Sequence, residues 1–525
     1  MPHSAAEKTG RLFCIGLPSP FFDDETKRIL DVIRPGSVIL FSRNIQTPAQ
    51  IRKYIEDIST FLGYTPVIAI DQEGGTVSRL TQDFTTAPGP MAVSATGNSQ
   101  YAFETGRILG QEMRTLGITW DMAPDVDINS IPRNPGIGIR SYGDTPERVI
   151  TFAGAFIQGL HASGVCSCLK HFPGLGRVTA DAHKTRPVVE YSRKELLAVE
   201  LRPYIELKAD AIMPSHAYYP ALQTKDEPAS LSREVVTDLA RRQLGYSGLF
   251  ISDDLEMGGT GFGAAGSPEQ TAVAAVAAGI DFLSYCHTVS REEKAYKGLL
   301  AEAEKSESLQ QRITESAERI EAFMQYAEKG ILKENHIDAP QQLQTIGTPE
   351  NTAEMQKITL AGITHKPAED GISVLGYTAD ITAVYSIQLS RLTPADEESG
   401  SDEVPECARS FAKNLSRPLY TFPVDPDKNL VQKLTESVPK RGTILIFTED
   451  ALLHPAQEQL LETLCRTAKR TLTVALRNPY DAWLPGTGEC LMTYGYTAIS
   501  QKAVTDVIYG RQPACGIFPL TADLE

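Results

Sequence analysis

Residues 166–187 read "CSCLKHFPGLGRVTADAHKTRP". The first six, Cys166 to His171, alternate in the manner of a short buried strand. Beyond His171 the chain is broken by Gly and Pro and is too polar for a helix or core strand, yet it carries Asp181 and His183 two residues apart. A strand opening onto a long polar loop is one unit of a larger pattern. Similar runs occur at Arg11–Leu17, Ser37–Phe41, Val67–Ile70, Ile118–Ala123, Ala211–Pro214, Leu249–Ser252 and Phe282–Tyr285. Between them lie segments such as "PAQIRKYIEDISTFLG" and "YAFETGRILGQEMRTLG", with apolar residues at helical spacing and a closing Gly. Eight strands each followed by a helix predict a (β/α)8 barrel of the TIM type. The alternative, an open doubly wound sheet, lacks a G-x-G-x-x-G turn after any strand.

The long amphipathic stretch from Arg291 to about Lys333 reads as the closing helices of that barrel. We therefore expect a first domain over 1–335, a polar linker over 336–351, and a smaller α/β layered, sandwich-like domain over 352–525. Its expected strands are Ile372–Tyr377, Ile381–Ile387, Thr443–Phe447, Leu472–Leu476 and Cys490–Tyr494. The acidic "PADEESGSDEVPE" reads as an exposed loop.

The 525 residues carry a formal charge of -16, which argues against a nucleic-acid partner, since that requires a concentrated basic surface. No run approaches the roughly 18 apolar residues of a membrane span, and the first twenty residues lack the pattern of a secretory leader. A cytoplasmic location is expected, with no membrane partner. The eight cysteines are scattered, so reduced buried thiols are expected, and strand alternation accounts for the Cys166–Cys168 spacing.

In a β/α barrel the reactive groups follow the strands. Here the strands run into "DQEGG" (Asp71), "DMAPDVDIN", Lys170 and His171, "PSH" (His216), "SDD" (Asp253, Asp254) and "CH" (His287). With His183 this gathers four histidines, several carboxylates and a Lys at one mouth. Metal-assisted hydrolysis fits weakly, because no two histidines lie at the i, i+2 or i, i+4 spacing by which neighbouring side chains share one ion, and the first strand ends without a His. Covalent glycosyl transfer fits better: a rigid strand-end carboxylate, Asp253, can attack, and the Asp181–His183 pair can move the proton.

These motifs resemble glycoside hydrolase family 3, and within it the bacterial β-N-acetylglucosaminidases of cell-wall recycling. "KHFPGLGRVTADAH" is similar to K-H-F-P-G-H-G…D-S-H, "FISDDLEM" to F-S-D-D-L-x-M, "IDQEGGTVSRL" to D-Q-E-G-G-x-V-x-R, and "NPGIGIRSYG" to N-P-x-I-x-x-R-S-F/Y. The resemblance implies a retaining hydrolase acting on terminal N-acetylglucosamine of muropeptides or related glycans, with a small carbohydrate as its partner and no cofactor or metal. It implies Asp253 as nucleophile, with Asp254 as the fallback, His183 as general acid/base and Asp181 as its orienting partner. Asp71, Arg79, Arg140, Lys170 and His171 are implied to hold the sugar, and Gly174 and Gly176 to hinge the loop. Leu175, Ala182 and Thr76 depart from the family pattern without removing a reacting group. The rival readings are a phosphorylase on the same scaffold, a metal-dependent hydrolase, and a sugar-binding protein without catalysis.

Overall fold

A computed structural model describes residues 4–179, 186–260, 266–332, 343–389 and 403–521. Ten strands precede residue 286: β1 (Phe13–Gly16), β2 (Ser37–Leu40), β3 (Val67–Ile70), β4 (Gln72–Gly74), β5 (Val77–Ser78), β6 (Trp120–Asp121), β7 (Cys168–Phe172), β8 (Ala211–Pro214), β9 (Leu249–Phe250) and β10 (Leu283–Tyr285). Five form a parallel sheet in the order β10-β1-β2-β3-β6, and three form a second parallel sheet, β7-β8-β9. Parallel bridges join the sheets at both edges, Trp120 to Cys166 and Asp125 to Lys170 at one and Ile251 to Phe282 at the other. β4 and β5 make a separate antiparallel hairpin. Every residue of β1, β2, β3 and β8 is buried, as expected where helices cover a parallel sheet.

The helices form for local reasons. In Pro48–Leu62 the Thr47 side chain accepts from the Gln50 N–H, Pro48 occupies the first turn, and Gly63 ends the helix in the left-handed region. Ile51, Tyr54, Ile55, Ile58 and Leu62 then share one buried face. The last helix of this region, Glu307–Leu332, brings Phe323 to 4.9 Å from the Trp120 ring, which also lies 5.5 Å from Phe282. Trp120 and Phe282 stand at strand starts, so this aromatic cluster seals the end of the sheets opposite the C-terminal strand ends.

The second region contains β11 (Thr364–Lys366), β12 (Ile381–Ile387), β13 (Leu419–Phe422), β14 (Thr443–Thr448), β15 (Arg470–Ala475) and β16 (Glu489–Met492) in the order β11-β16-β15-β14-β12-β13. β12 to β16 are parallel and follow a doubly wound 2-1-3-4-5 order; β11 is antiparallel at the edge. The expected strand at Ile372–Tyr377 is absent. That apolar run is instead a turn between left-handed Gly371 and Gly376, and its Val374 N–H is taken by the Glu489 carboxylate, at 2.8 Å. β11 and β13 were not anticipated. This region has its own hydrophobic cluster, in which Trp483 packs 4.2 Å from Phe518.

The two regions touch through apolar and polar contacts: Met91, Ala92, Ala95 and Ile139 join the second region's hydrophobic cluster, and Met355, Ile358 and Ile499 join the first's. The Ile517 N–H donates to the Ala95 carbonyl (2.8 Å), Arg148 Nε to the Pro519 carbonyl (3.1 Å), and Arg133 to the Leu452 carbonyl. Of the expected linker, residues 336–342 lie outside the described residues, and a helix, Pro349–Gly362, already occupies its end. Most of the acidic loop lies outside them too. No helix of the described residues is long and apolar enough to cross a membrane. All eight cysteines are unpaired, and seven are buried.

Candidate active site

At the C-terminal ends of β3, β6 and β7 lies a network of charges largely shielded from solvent. Lys170 Nζ sits 2.7 Å from Asp71 Oδ1 and 2.6 Å from Glu73 Oε1. Arg140 grips Glu73 with two parallel hydrogen bonds, Nε to Oε2 at 3.0 Å and Nη2 to Oε1 at 2.8 Å, and its Nη2 lies 3.4 Å from Asp125 Oδ2. Arg79 Nη2 reaches Asp71 Oδ2 at 3.5 Å. Arg79 is placed by the β4–β5 hairpin: Gln72 Oε1 accepts from the N–H groups of Arg79 (2.8 Å) and Leu80 (3.0 Å). The hairpin turns on Gly74 and Gly75, both at positive φ, and a Cβ on Gly74 would lie 2.5 Å from the Pro88 carbonyl oxygen.

These pairings fix protonation. Burial disfavours the Asp71 carboxylate, but the charges of Lys170 and Arg79 hold it below the usual range. Glu73 is likewise lowered: against burial, Arg140 and Lys170 keep it ionised. Burial alone would strip the Lys170 proton, yet Asp71 and Glu73 raise its pKa. One step deeper the balance reverses. Burial, then the neighbouring Asp127, raises Asp125; burial also raises Asp127.

His171 is held by that deeper pair. Its Nδ1 lies 2.8 Å from Asp127 Oδ2, and burial pushes its pKa down to about 4. Asp125, Asp127 and His171 are the one group of three among the described residues that brings ligand-type atoms together, all within 4.8 Å. Asp127 Oδ2 is engaged by the His171 ring and the Arg140 guanidinium lies 3.4 Å from Asp125 Oδ2, so a positive charge already faces this donor set and it suits a fixed imidazole better than a cation.

Asp253 follows β9, and its Oδ1 accepts from the Asp254 N–H at 2.8 Å. It stands near enough to His171 for its charge to oppose the burial that lowers the imidazole pKa. Asp254 differs: burial, then Glu256, raises its pKa well above the ordinary range, favouring the neutral acid. His216 is a fixed core histidine, Nδ1 on Ser230 Oγ (2.7 Å) and Nε2 on the Asp254 carbonyl (3.0 Å). His287 stands between Arg43 Nη1 (3.1 Å) and Asp254 Oδ2 (3.5 Å).

Of the expected site residues, the structure thus brings together Asp71, Arg79, Arg140, Lys170, His171 and Asp253. Asp181 and His183 lie outside the described residues. The base of their loop is firmly anchored. Leu175 donates its N–H to Asp127 (2.6 Å), and its carbonyl accepts from Asn134 Nδ2 (2.8 Å). A Cβ on Gly176 would fall 1.6 Å from the Ile128 carbonyl oxygen, and one on Gly174 would meet Glu200 at 2.7 Å. Both glycines are therefore accounted for by close packing. Sequence reasoning missed Glu73, Asp125, Asp127 and Asn134 as site components. Their signal lay in "DQEGG" and "DMAPDVDIN", where charged residues crowd the ends of apolar strands.

Residues 5–323 match the model for the glycosyl hydrolase family 3 N-terminal domain. The chain is 28% identical over 93% of its length to β-hexosaminidase A of Pseudoalteromonas piscicida, of which it covers 89%. It is 35% identical over 52% of its length to a β-hexosaminidase of Pseudomonas aeruginosa, of which it covers 82%. Among solved structures, a family 3 β-N-acetylglucosaminidase from Paenibacillus sp. str. FPU-7 superposes with a TM-score of 0.87 at 28% identity, covering 100% of both chains. The strand-end carboxylates, their buried cations and this family match converge: the chain belongs to glycosyl hydrolase family 3 and is a glycoside hydrolase.

Proposed function

We propose that this hydrolase is a retaining β-N-acetylglucosaminidase, of the β-N-acetylhexosaminidase type, that removes terminal non-reducing N-acetylglucosamine from muropeptides or related glycans in the cytoplasm. The observation that carries the reading is Asp71, held ionised by Lys170 and Arg79 at the strand ends, with Asp253 near enough for its charge to act on the neighbouring His171. An ionised carboxylate with fixed cations beside it accepts from paired sugar hydroxyls while the cations donate to neighbouring oxygens. The names of the similar proteins agree with that substrate class.

In this reading Asp253 attacks the anomeric carbon as the glycosidic C–O bond breaks, and His183, oriented by Asp181, gives its proton to the leaving oxygen. Water then attacks the glycosyl–Asp253 ester, His183 takes the water's proton, and Asp253 departs as carboxylate. The neutral state favoured at Asp254 makes it a poor nucleophile and supports assigning attack to its neighbour. His171 and Arg140 complete the sugar pocket, Arg140 through its grip on Glu73.

The architectural part of the proposal is that the two parallel sheets of the first region close into one eight-stranded (β/α)8 barrel over 1–335, the bridges at Trp120–Cys166 and Ile251–Phe282 being the two seams. The layered domain follows the 336–351 linker. The decisive experiment uses a slow fluorinated analogue that keeps the 2-acetamido group, such as a 5-fluoro N-acetylglucosaminide, to trap the intermediate, and mass mapping to find the label. Attachment at Asp253 is expected; a label elsewhere overturns the mechanism. Release of N-acetylglucosamine 1-phosphate when phosphate is added would instead establish the phosphorylase, and loss of activity with chelator would establish the metal hydrolase.

A further inference from the structure

A second concavity, of about 670 Å³, lies on the face opposite the candidate active site, at the strand starts. Arg241 and Arg242 end the π-helical segment Glu234–Gln243 that leads into β9, Asp281 stands just before β10, and Arg312 and Arg319 come from the helix Glu307–Leu332. With Arg233, five guanidinium groups line one basin on a chain whose net charge is -16.

Four of these cations are in ion pairs, yet three of them share partners and the basin stays net positive. Asp281 is fully buried beneath the basin, and its oxygens are saturated. Oδ1 accepts from Arg312 (2.7 Å), Arg319 (2.8 Å) and Ser316 (2.8 Å), while Oδ2 accepts from Arg241 (2.9 Å) and the Phe250 N–H (3.1 Å). Glu302 and Glu315 are the acidic lining residues, Glu315 lying 3.1 Å from Arg312 and 4.0 Å from Arg319, so with Asp281 and Asp238 five positive charges meet four negative ones. Burial lowers the Arg241 pKa, and repulsion from Arg319 and Arg312 adds to this against the opposing pull of Asp281. Arg233 is exposed and makes no ion pair among the described residues, and Arg242 spends one nitrogen on Asp238 (2.8 Å). Val273, Ala277 and Leu309 add an apolar part to the lining.

We propose that this basin is a binding site for a small molecule carrying at least two linked phosphate groups, with room for an attached ring. Guanidinium forks match phosphate oxygens in pairs, and several forks at fixed spacing favour a diphosphate over a single phosphate. The volume is that of an ordinary small-molecule site. The arginines around Asp281 are already oriented, which lowers the ordering cost of binding.

The test is titration calorimetry on the full chain with pyrophosphate, ADP, inorganic phosphate and adenosine at physiological salt. We expect saturable binding of pyrophosphate and ADP with Kd below about 1 mM, at least about tenfold tighter than phosphate, and none of adenosine. The double variant Arg233→Gln/Arg242→Gln should weaken ADP at least about tenfold, and Arg233→Gln alone, at an exposed unpaired position, should weaken it measurably. Asp253→Asn should leave ADP binding unchanged. Absence of saturable binding, equal affinity for phosphate and ADP, or insensitivity to both arginine variants would overturn the proposal.

Discussion

Both regions set buried carboxylates at the C-terminal ends of parallel strands, yet they satisfy them differently. In the second region Asp481 accepts from Thr448 Oγ1 (2.8 Å) and from the N–H groups of Ala451 and Leu452 (both 3.1 Å). In the first, Asp71 and Glu73 are met by the side-chain cations Lys170, Arg79 and Arg140. The Asp481 residue is fully enclosed, whereas the Asp71 side chain keeps 16% of its surface. A carboxylate tied to backbone amides is a brace for loops. One neutralised by cations at an open rim remains ionised and available to a polar ligand. The same architecture thus supports either use, and the partner type distinguishes them.

The largest expected effect separates the regions by activity. Asp253→Asn should lower kcat on the order of 10⁴-fold with little change in stability, while Asp481→Asn should leave kcat within about twofold. Comparable losses in the two variants, read on an aryl N-acetylglucosaminide, would break the contrast. Next comes the network itself: Glu73→Gln leaves Arg140 and Lys170 short of a buried anion, and should cost about 3–5 kcal/mol in denaturant unfolding.

Acidity sharpens the comparison further, because the two regions should respond with opposite sign. The folded pKa of His171, about 4, lies below its ordinary 6.5, so its stability contribution is complete above 6.5 and is lost as pH falls through about 4. Measured as Tm against pH, His171→Gln should flatten that decline, by roughly 3 kcal/mol at most. For Asp481, burial and then Asp450 raise the folded pKa to about 7 from 3.8. Its contribution is complete below 3.8 and is lost as pH rises through about 7, so Asp481→Asn should flatten the alkaline side. The smallest effect is expected at Asn134→Ala, which frees the Leu175 carbonyl: about 1 kcal/mol of stability, with a several-fold fall in kcat that Asn134→Asp, lacking a donor for that carbonyl, does not restore.

Much of this contrast is legible in the sequence. The eight parallel strands of the first region are visible there because fully buried parallel strands are short apolar runs followed by polar turns, and their ends point to Asp71, Lys170, His171 and Asp253; the β4–β5 hairpin is not. Boundaries are less legible: Ile118–Ala123 shrinks to Trp120–Asp121, since cross-strand pairing, not apolarity, ends a strand. In the second region Ile372–Tyr377 misleads because its apolar residues are held by a distant carboxylate, Glu489. Glu73 and Asp127 are hidden for a related reason. Their importance lies in partners some 44 to 67 residues away, which periodicity does not encode.

The chain contains two tryptophans, and the fold allots one to each hydrophobic cluster: Trp120 enclosed by Phe282 and Phe323, and Trp483 against Phe518. Each half thereby carries its own intrinsic fluorophore. Single Trp→Phe replacements would turn the emission spectrum into a separate melting record for either half, showing directly whether they unfold as one cooperative unit or in sequence.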